Sequence, residues 1–209
     1  FGVTGDLARR KILPTLSTFA SKNNNDVSID LIGYSRSNPD TAEIEDLLNQ
    51  SSTKTSHAFR SIEFIQANYD DEDAISSLID SKDDHEELYI YLAVPPQVII
   101  AFLQKAGPKI DTNTHIIIEK PFGTNSDEGD QIVHLLTEFS ITENVHFIDH
   151  YLFKSAVRFT DADKRNFKEL FPKKLRSIEV VAQEQLGVED RKGYYNSTGA
   201  FKDKFIHLY

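Results

Sequence analysis

The stretch LYIYLAV, Leu88 to Val94, is nearly continuous in apolar residues and stops at the pair Pro95–Pro96. It is far shorter than the roughly 20 apolar residues a membrane helix needs. A short apolar run closed by prolines reads as a strand covered on both faces, the mark of a parallel sheet clothed by helices. The rest of the chain repeats that rhythm. Asp6 to about Ser21 predicts a helix with Ile12, Leu13, Leu16 and Phe19 on one face. Ser28–Gly33 predicts a strand, Thr41–Gln50 a helix with the stripe Ile44, Leu47 and Leu48, Phe64–Ala67 a short strand and Asp71–Asp80 a helix. Pro95 and Pro96 open a helix through Leu103; Ile116–Glu119, Asp127–Phe139 and Val145–Ile148 then predict strand, helix and strand. Strands alternating with helices mean βαβ units, so residues 1–150 are expected to form a Rossmann-like, doubly wound α/β domain.

After about Tyr151 the rhythm changes to a polar helical stretch (Asp161–Phe171), a strand-like run (Ser177–Gln183) and a turn-rich segment. Residues 151–209 are expected to begin a second, α+β domain that the chain does not complete. With 209 residues and 39% hydrophobic content, the chain has apolar material for at least one core. A net charge of −10 opposes general binding to nucleic acid or anionic membrane, yet leaves room for a local basic pocket that holds a small anion. Cysteine is absent, which removes disulfides, thiol nucleophiles and Cys-based metal sites. These features favour a soluble, cytoplasmic protein. Methionine is absent too.

Four motifs carry chemistry, each beside a predicted strand end, where ligands of open α/β sheets bind. In GVTGDLA, Gly2 and Gly5 precede a helix; the turn is either a pyrophosphate cradle, with the backbone approaching the ligand and helix N–H groups facing it, or an ordinary strand-to-helix turn. In IGYSRS, Arg36 follows the second strand, where an acid would bond the adenosine ribose; an arginine suits a 2′-phosphate instead, and the alternative is a solvated side chain. In EKPFG, Lys120 either holds a substrate or cofactor oxygen or merely caps its strand. In FIDHYLFK, His150, Tyr151 and Lys154 make an anion pocket, and Asp149 can orient a histidine; the alternative is a satisfied polar cluster at a domain junction. The remaining histidines, His57, His85, His115, His134 and His146, show no metal-ligand spacing, and no metal is expected.

Taken in order, GVTGDLARRK, GYSRS, YLAVPP, IIIEKPFG and FIDHYLFK resemble the glucose-6-phosphate dehydrogenase family, most specifically in EKPFG and IDHYLxK. The resemblance runs the whole chain, while full-length members are more than twice as long. It implies an NADP-dependent oxidoreductase of the pentose phosphate pathway that is a homodimer or homotetramer. It places Gly2, Gly5, Asp6, Leu7 and Arg36 at NADP, and Lys11 and Lys120 near substrate and nicotinamide. It places His150, Tyr151 and Lys154 on the 6-phosphate of the sugar, Glu184 and Asp203 on sugar hydroxyls, and Asp149 beside the catalytic histidine. Phe153 replaces the family's glycine, and Gln185–Leu186 replaces Pro-Phe. The catalytic histidine is expected five residues after Asp203, but His207 stands four after it. One residue turns a helix by about 100°; a methionine between Asp203 and Lys204 would restore the register. His207 is assigned as the base. Two alternatives are a non-catalytic NADP- or sugar-phosphate-binding paralogue and a dehydrogenase of another sugar phosphate.

Overall fold

The computed structural model describes residues 1–23, 27–49, 59–83, 85–120 and 122–149. Residues Phe1–Phe147 form one compact unit. Its elements follow the predicted order. A π-helical turn, Ala8–Ile12, runs into α1 (Leu13–Asn23); then come β1 (Asp30–Ser35), α2 (Thr41–Asn49), β2 (Ser61–Gln66), α3 (Glu72–Asp80), β3 (Leu88–Leu92), α4 (Pro96–Ala106), β4 (Thr114–Glu119), α5 (Ser126–Glu138) and β5 (Val145–Ile148).

β1 pairs parallel with β2, and β3 parallel with β4, which has β5 on its other side. Phe1–Val3 joins the two sets. The Phe1 nitrogen donates to the Tyr91 carbonyl at 2.8 Å, and Ala93 N–H returns a bond to the Phe1 carbonyl at 3.3 Å. On the other side, Gly2 and Val3 N–H both donate to the Tyr34 carbonyl, at 2.9 and 3.3 Å. The order across the seam is therefore β2, β1, Phe1–Val3, β3, β4, β5. That is the doubly wound dinucleotide-binding order, with its switch point between Phe1–Val3 and β3. Aromatic rings close the seam: Phe1 stacks on Tyr34 with centroids 4.1 Å apart and meets Phe102 edge-on at 4.8 Å.

Two apolar cores follow the two halves. Val3, Leu13, Ile44 and Leu48 fill one, beneath α1 and α2. Ile75, Ile90, Leu92, Phe102, Leu103, Ile116, Ile118 and Ile132 are among the buried residues of the other, which unites α3, α4 and α5 with β3 and β4. Helix starts are capped locally: the Asp71 carboxylate accepts from Ala74 N–H at 3.0 Å, and the Asn125 side chain accepts from Glu128 N–H at 2.9 Å.

Three expectations change. β1 runs on through Tyr34 and Ser35, so it ends immediately before Arg36. In the first helix, Leu13, Ser17 and Ala20 are buried while Phe19 is half exposed. The π-helical turn explains this shift: it carries one extra residue in its loop, Leu13 N–H bonding back to the Ala8 carbonyl, which rotates the following face by about one residue. Pro14 sits at its exit, where it has no N–H to give to a regular ladder. Finally, the two faces of β3 differ: Ile90 and Leu92 are buried, whereas on the other face Tyr91 is half-buried and Tyr89 is 56% exposed. Among the described residues, no helix is long and apolar enough to cross a membrane.

Candidate functional site

The carboxyl ends of the strands bring the first three motifs together. Gly2 has φ +79°, and a β-carbon there would lie 2.5 Å from the Ala93 carbonyl oxygen, so only glycine fits between the first segment and the end of β3. Gly5 N–H closes the turn on the Gly2 carbonyl at 2.8 Å. The helix then begins at Asp6, and the N–H groups of its first turn have no intrahelical acceptor. Asp6 and Leu7 are exposed at this opening, and the Asp6 carboxylate is held by Arg10 at 2.6 Å. The backbone N–H groups and positive end of the helix that follows this glycine turn are an arrangement suited to an anion.

The segment after β1 meets this turn. Ser37 Oγ lies 3.4 Å from Thr4 Oγ1, and Ser35 Oγ donates to the Ser37 carbonyl at 2.6 Å. Between those serines, the exposed Arg36 guanidinium has no carboxylate partner among the described residues and rests over the Tyr69 ring, 5.4 Å from its centroid. Tyr69 in turn faces Tyr34 at 6.1 Å. Burial pushes the Tyr34 phenol up to about 12, with the Asp71 and Asp70 charges adding to it; its hydroxyl donates to the Asn68 carbonyl at 2.8 Å. Arg36 is therefore an exposed cation set against an aromatic surface.

At the end of β4 the half-buried Lys120 has no hydrogen-bond or ion-pair partner among the described residues. Its neighbour Glu119 accepts a hydrogen bond from the Tyr91 hydroxyl on β3. Burial, and then that carboxylate, raise the Tyr91 phenol well above the ordinary tyrosine range. Beyond Lys120, the loop is pinned by Glu128, which accepts from Thr124 N–H at 2.7 Å and from Gln97 Nε2 on α4 at 2.6 Å. Lys11 is exposed on the π-helical turn, at the edge of an open groove of about 440 Å³ lined also by Arg10, Thr15, Phe19 and Lys22. Asp149 follows β5 directly and is buried, 7% exposed. His150, Tyr151, Lys154, Glu184, Asp203 and His207 lie outside the described residues. Sequence reasoning passed over Tyr69, Tyr91 and Glu128. The NYDD turn after β2 signalled the first only weakly, and nothing local marks a partner two strands or a helix away.

The family model for "Glucose-6-phosphate dehydrogenase, NAD binding domain" matches residues 1–158. The chain belongs to that family. Among curated relatives, glucose-6-phosphate 1-dehydrogenase 2 of Mycobacterium tuberculosis H37Rv is 29% identical over 234 residues, covering 97% of this chain and 45% of the relative. The chloroplastic enzyme of Spinacia oleracea is 25% identical, with 97% of this chain and 39% of the relative covered. The fold is shared with the crystal structure of glucose-6-phosphate 1-dehydrogenase from Mycobacterium avium, at TM-score 0.67 and 16% identity over 97% of this chain and 47% of that one. A glucose-6-phosphate dehydrogenase solved with its substrate superposes at TM-score 0.65 and 22% identity, over 98% and 47% of the two chains. The chain thus spans less than half the length of these relatives. The family match spans the glycine turn, Arg36, Lys120 and the FIDHYLFK motif. The parallel strand pairs and flanking helices match the Rossmann-like fold expected for it.

Proposed function

We propose that the protein is an NADP-dependent glucose-6-phosphate dehydrogenase, oxidising glucose 6-phosphate at C1 to 6-phosphogluconolactone. The observation that carries this reading is the placement of three cation or N–H donors at the carboxyl ends of strands in one sheet: the Gly2–Gly5 turn, Arg36 directly after β1 and Lys120 directly after β4, neither side chain ion-paired among the described residues. The donor set fits a dinucleotide. The glycine turn leads into exposed helix N–H groups that suit a pyrophosphate, and Arg36 follows β1 where a 2′-phosphate would lie in this fold, which favours NADP over NAD.

When bound, the nicotinamide supplies the hydride acceptor. The chain supplies binding, orientation and proton transfer. In this reading His207 takes the proton from the C1 hydroxyl, and Asp149 orients that imidazole and stabilises its charged form. His150, Tyr151 and Lys154 grip the sugar's 6-phosphate; Glu184 and Asp203 accept from its hydroxyls; Lys120 lies between sugar and nicotinamide, with Lys11 nearby. The carboxylate contacts favour a sugar over a simple phosphate ester. Residues 151–209 begin the substrate domain in this account, and a cytoplasmic homodimer or homotetramer is its assembly.

A second reading rests on Phe153, which stands where the family keeps a glycine, and on the four-residue step from Asp203 to His207. These favour a binding protein without turnover, or another sugar phosphate. The separating experiment is His207→Asn in the full-length protein. Turnover is expected to fall by about three orders of magnitude while glucose 6-phosphate still binds within a few-fold. Near-normal activity in that variant refutes the assignment of the base.

A further inference from the structure

We propose that the face of the β3–β4–β5 sheet bearing Tyr89, His115 and His146 carries an exchangeable two-histidine site for a borderline divalent cation such as Zn²⁺, remote from the cofactor edge. His115 on β4 and His146 on β5 bring His115 Nδ1 and His146 Nε2 to 3.3 Å, with ring centroids 5.4 Å apart. They stand on neighbouring strands although 31 residues separate them in the chain, so no sequence spacing discloses the pair. Tyr89, the in-register partner of His115, stacks on its ring at 4.8 Å and 20°, and its hydroxyl is held by Glu87 at 2.6 Å. These contacts limit ring motion, and the exposure of Tyr89 and His146 leaves water access.

The distance is what a metal needs. Two imidazole nitrogens bound to zinc at about 2.0–2.1 Å with a tetrahedral angle stand about 3.3–3.4 Å apart. The strand ladder therefore presets the separation. What must be met besides is direction: in the metal-bound pair each nitrogen–metal bond makes about 35° with the line joining the two nitrogens, so the rings turn from facing each other to facing a common ion. His146 then binds through Nε2 with its proton on Nδ1, and His115 through Nδ1 with its proton on Nε2. Starting from two neutral rings, this needs a tautomer shift in one of them and no net proton release. Imidazole suits zinc, copper and nickel, whereas magnesium and calcium prefer oxygen. Among the described residues no group of three or more ligands is present, so water completes the shell and the ion exchanges freely. His115 precedes Lys120 by five positions on β4, about 16 Å along a strand, so the site is separate from the proposed cofactor contacts.

The test is calorimetric titration of Zn²⁺ into the full-length protein, with nitrogen NMR of the histidine rings. One equivalent is expected to bind in the micromolar range, shifting His115 Nδ1 and His146 Nε2. His115→Gln and His146→Gln should each weaken it about tenfold or more. His134→Gln, which alters an exposed histidine on α5 beside Glu138, should leave it unchanged. The ring shifts are read in the unsubstituted protein, so a misfolded variant does not obscure them. Absence of binding up to millimolar Zn²⁺, shifts at other rings, or wild-type affinity in either glutamine variant overturns the proposal.

Discussion

Replacing Gly2 with alanine tests the join between the two halves of the sheet and the cradle beside it. The new β-carbon would sit 2.5 Å from the Ala93 carbonyl oxygen and 3.2 Å from Val94 Cγ1, on a residue with φ +79°. The left-handed backbone costs about 1–2 kcal/mol for a residue with a side chain. Relieving the contact requires about 0.8 Å of separation to reach ordinary carbon–oxygen packing. The obstacle is backbone, so the seam must open. The bonds at risk are Phe1 to Tyr91 and Ala93 to Phe1, at 2.8 and 3.3 Å. Losing one of them adds about 0.5–1.5 kcal/mol, for a total near 2–3 kcal/mol. With a urea slope of about 1–3 kcal/mol per molar, the midpoint should fall by about 0.7–3 M. Gly5→Ala is the control: its β-carbon meets only the Gly2 carbonyl, at 3.0 Å, and its φ is not left-handed. It should cost about 1 kcal/mol or less. Urea unfolding of the full-length protein by circular dichroism, paired with a cofactor titration by fluorescence, measures both effects. A Gly2→Ala midpoint within error of wild type, or an equal loss in Gly5→Ala, refutes the reasoning.

Arg36→Ala should weaken NADP by about 10–100-fold, one charged hydrogen-bonding group, while changing NAD affinity little; competitive titration of the two cofactors reads this directly. Phe102, fully buried against the Phe1 ring, should cost about 3–5 kcal/mol when cut to alanine, measured by chemical denaturation. On the acid side, the Lys82 ammonium 2.5 Å from Asp111, helped by Thr114, holds that carboxyl below its ordinary value. A depressed carboxyl stabilises the fold above its unfolded pKa and loses that effect as pH falls through the folded one. Thermal midpoints should therefore drop on acidification below about pH 4. Lys82→Met should flatten that slope and leave its shape above pH 5, about one unit higher, unchanged.

Much of the fold was legible because its signals are local. The apolar runs at β3 and β4, the proline pair that opens α4 and the stripe of α2 each declare their element within a few residues. Less legible was anything set by packing between distant segments. The π-helical turn moved the buried face from Phe19 to Ala20, and no propensity records an extra residue in a helical loop. Tyr89 lies in a run that reads as doubly covered, yet its outer face is open, because α4 and α5 pack on the other side of these strands. For the site, glycine spacing and the position of Arg36 pointed to a dinucleotide edge. The Tyr69 platform and the Tyr91–Glu119 bond depend on strand register, which emerges only once strands pair.

The most direct test of the proposed reaction uses glucose 6-phosphate carrying deuterium at C1, incubated with NADP and the full-length protein. Hydride transfer from C1 predicts a deuterated, reduced nicotinamide by mass spectrometry, formed together with the lactone. A reduced cofactor without deuterium, or no reduced cofactor at high protein concentration, would contradict it.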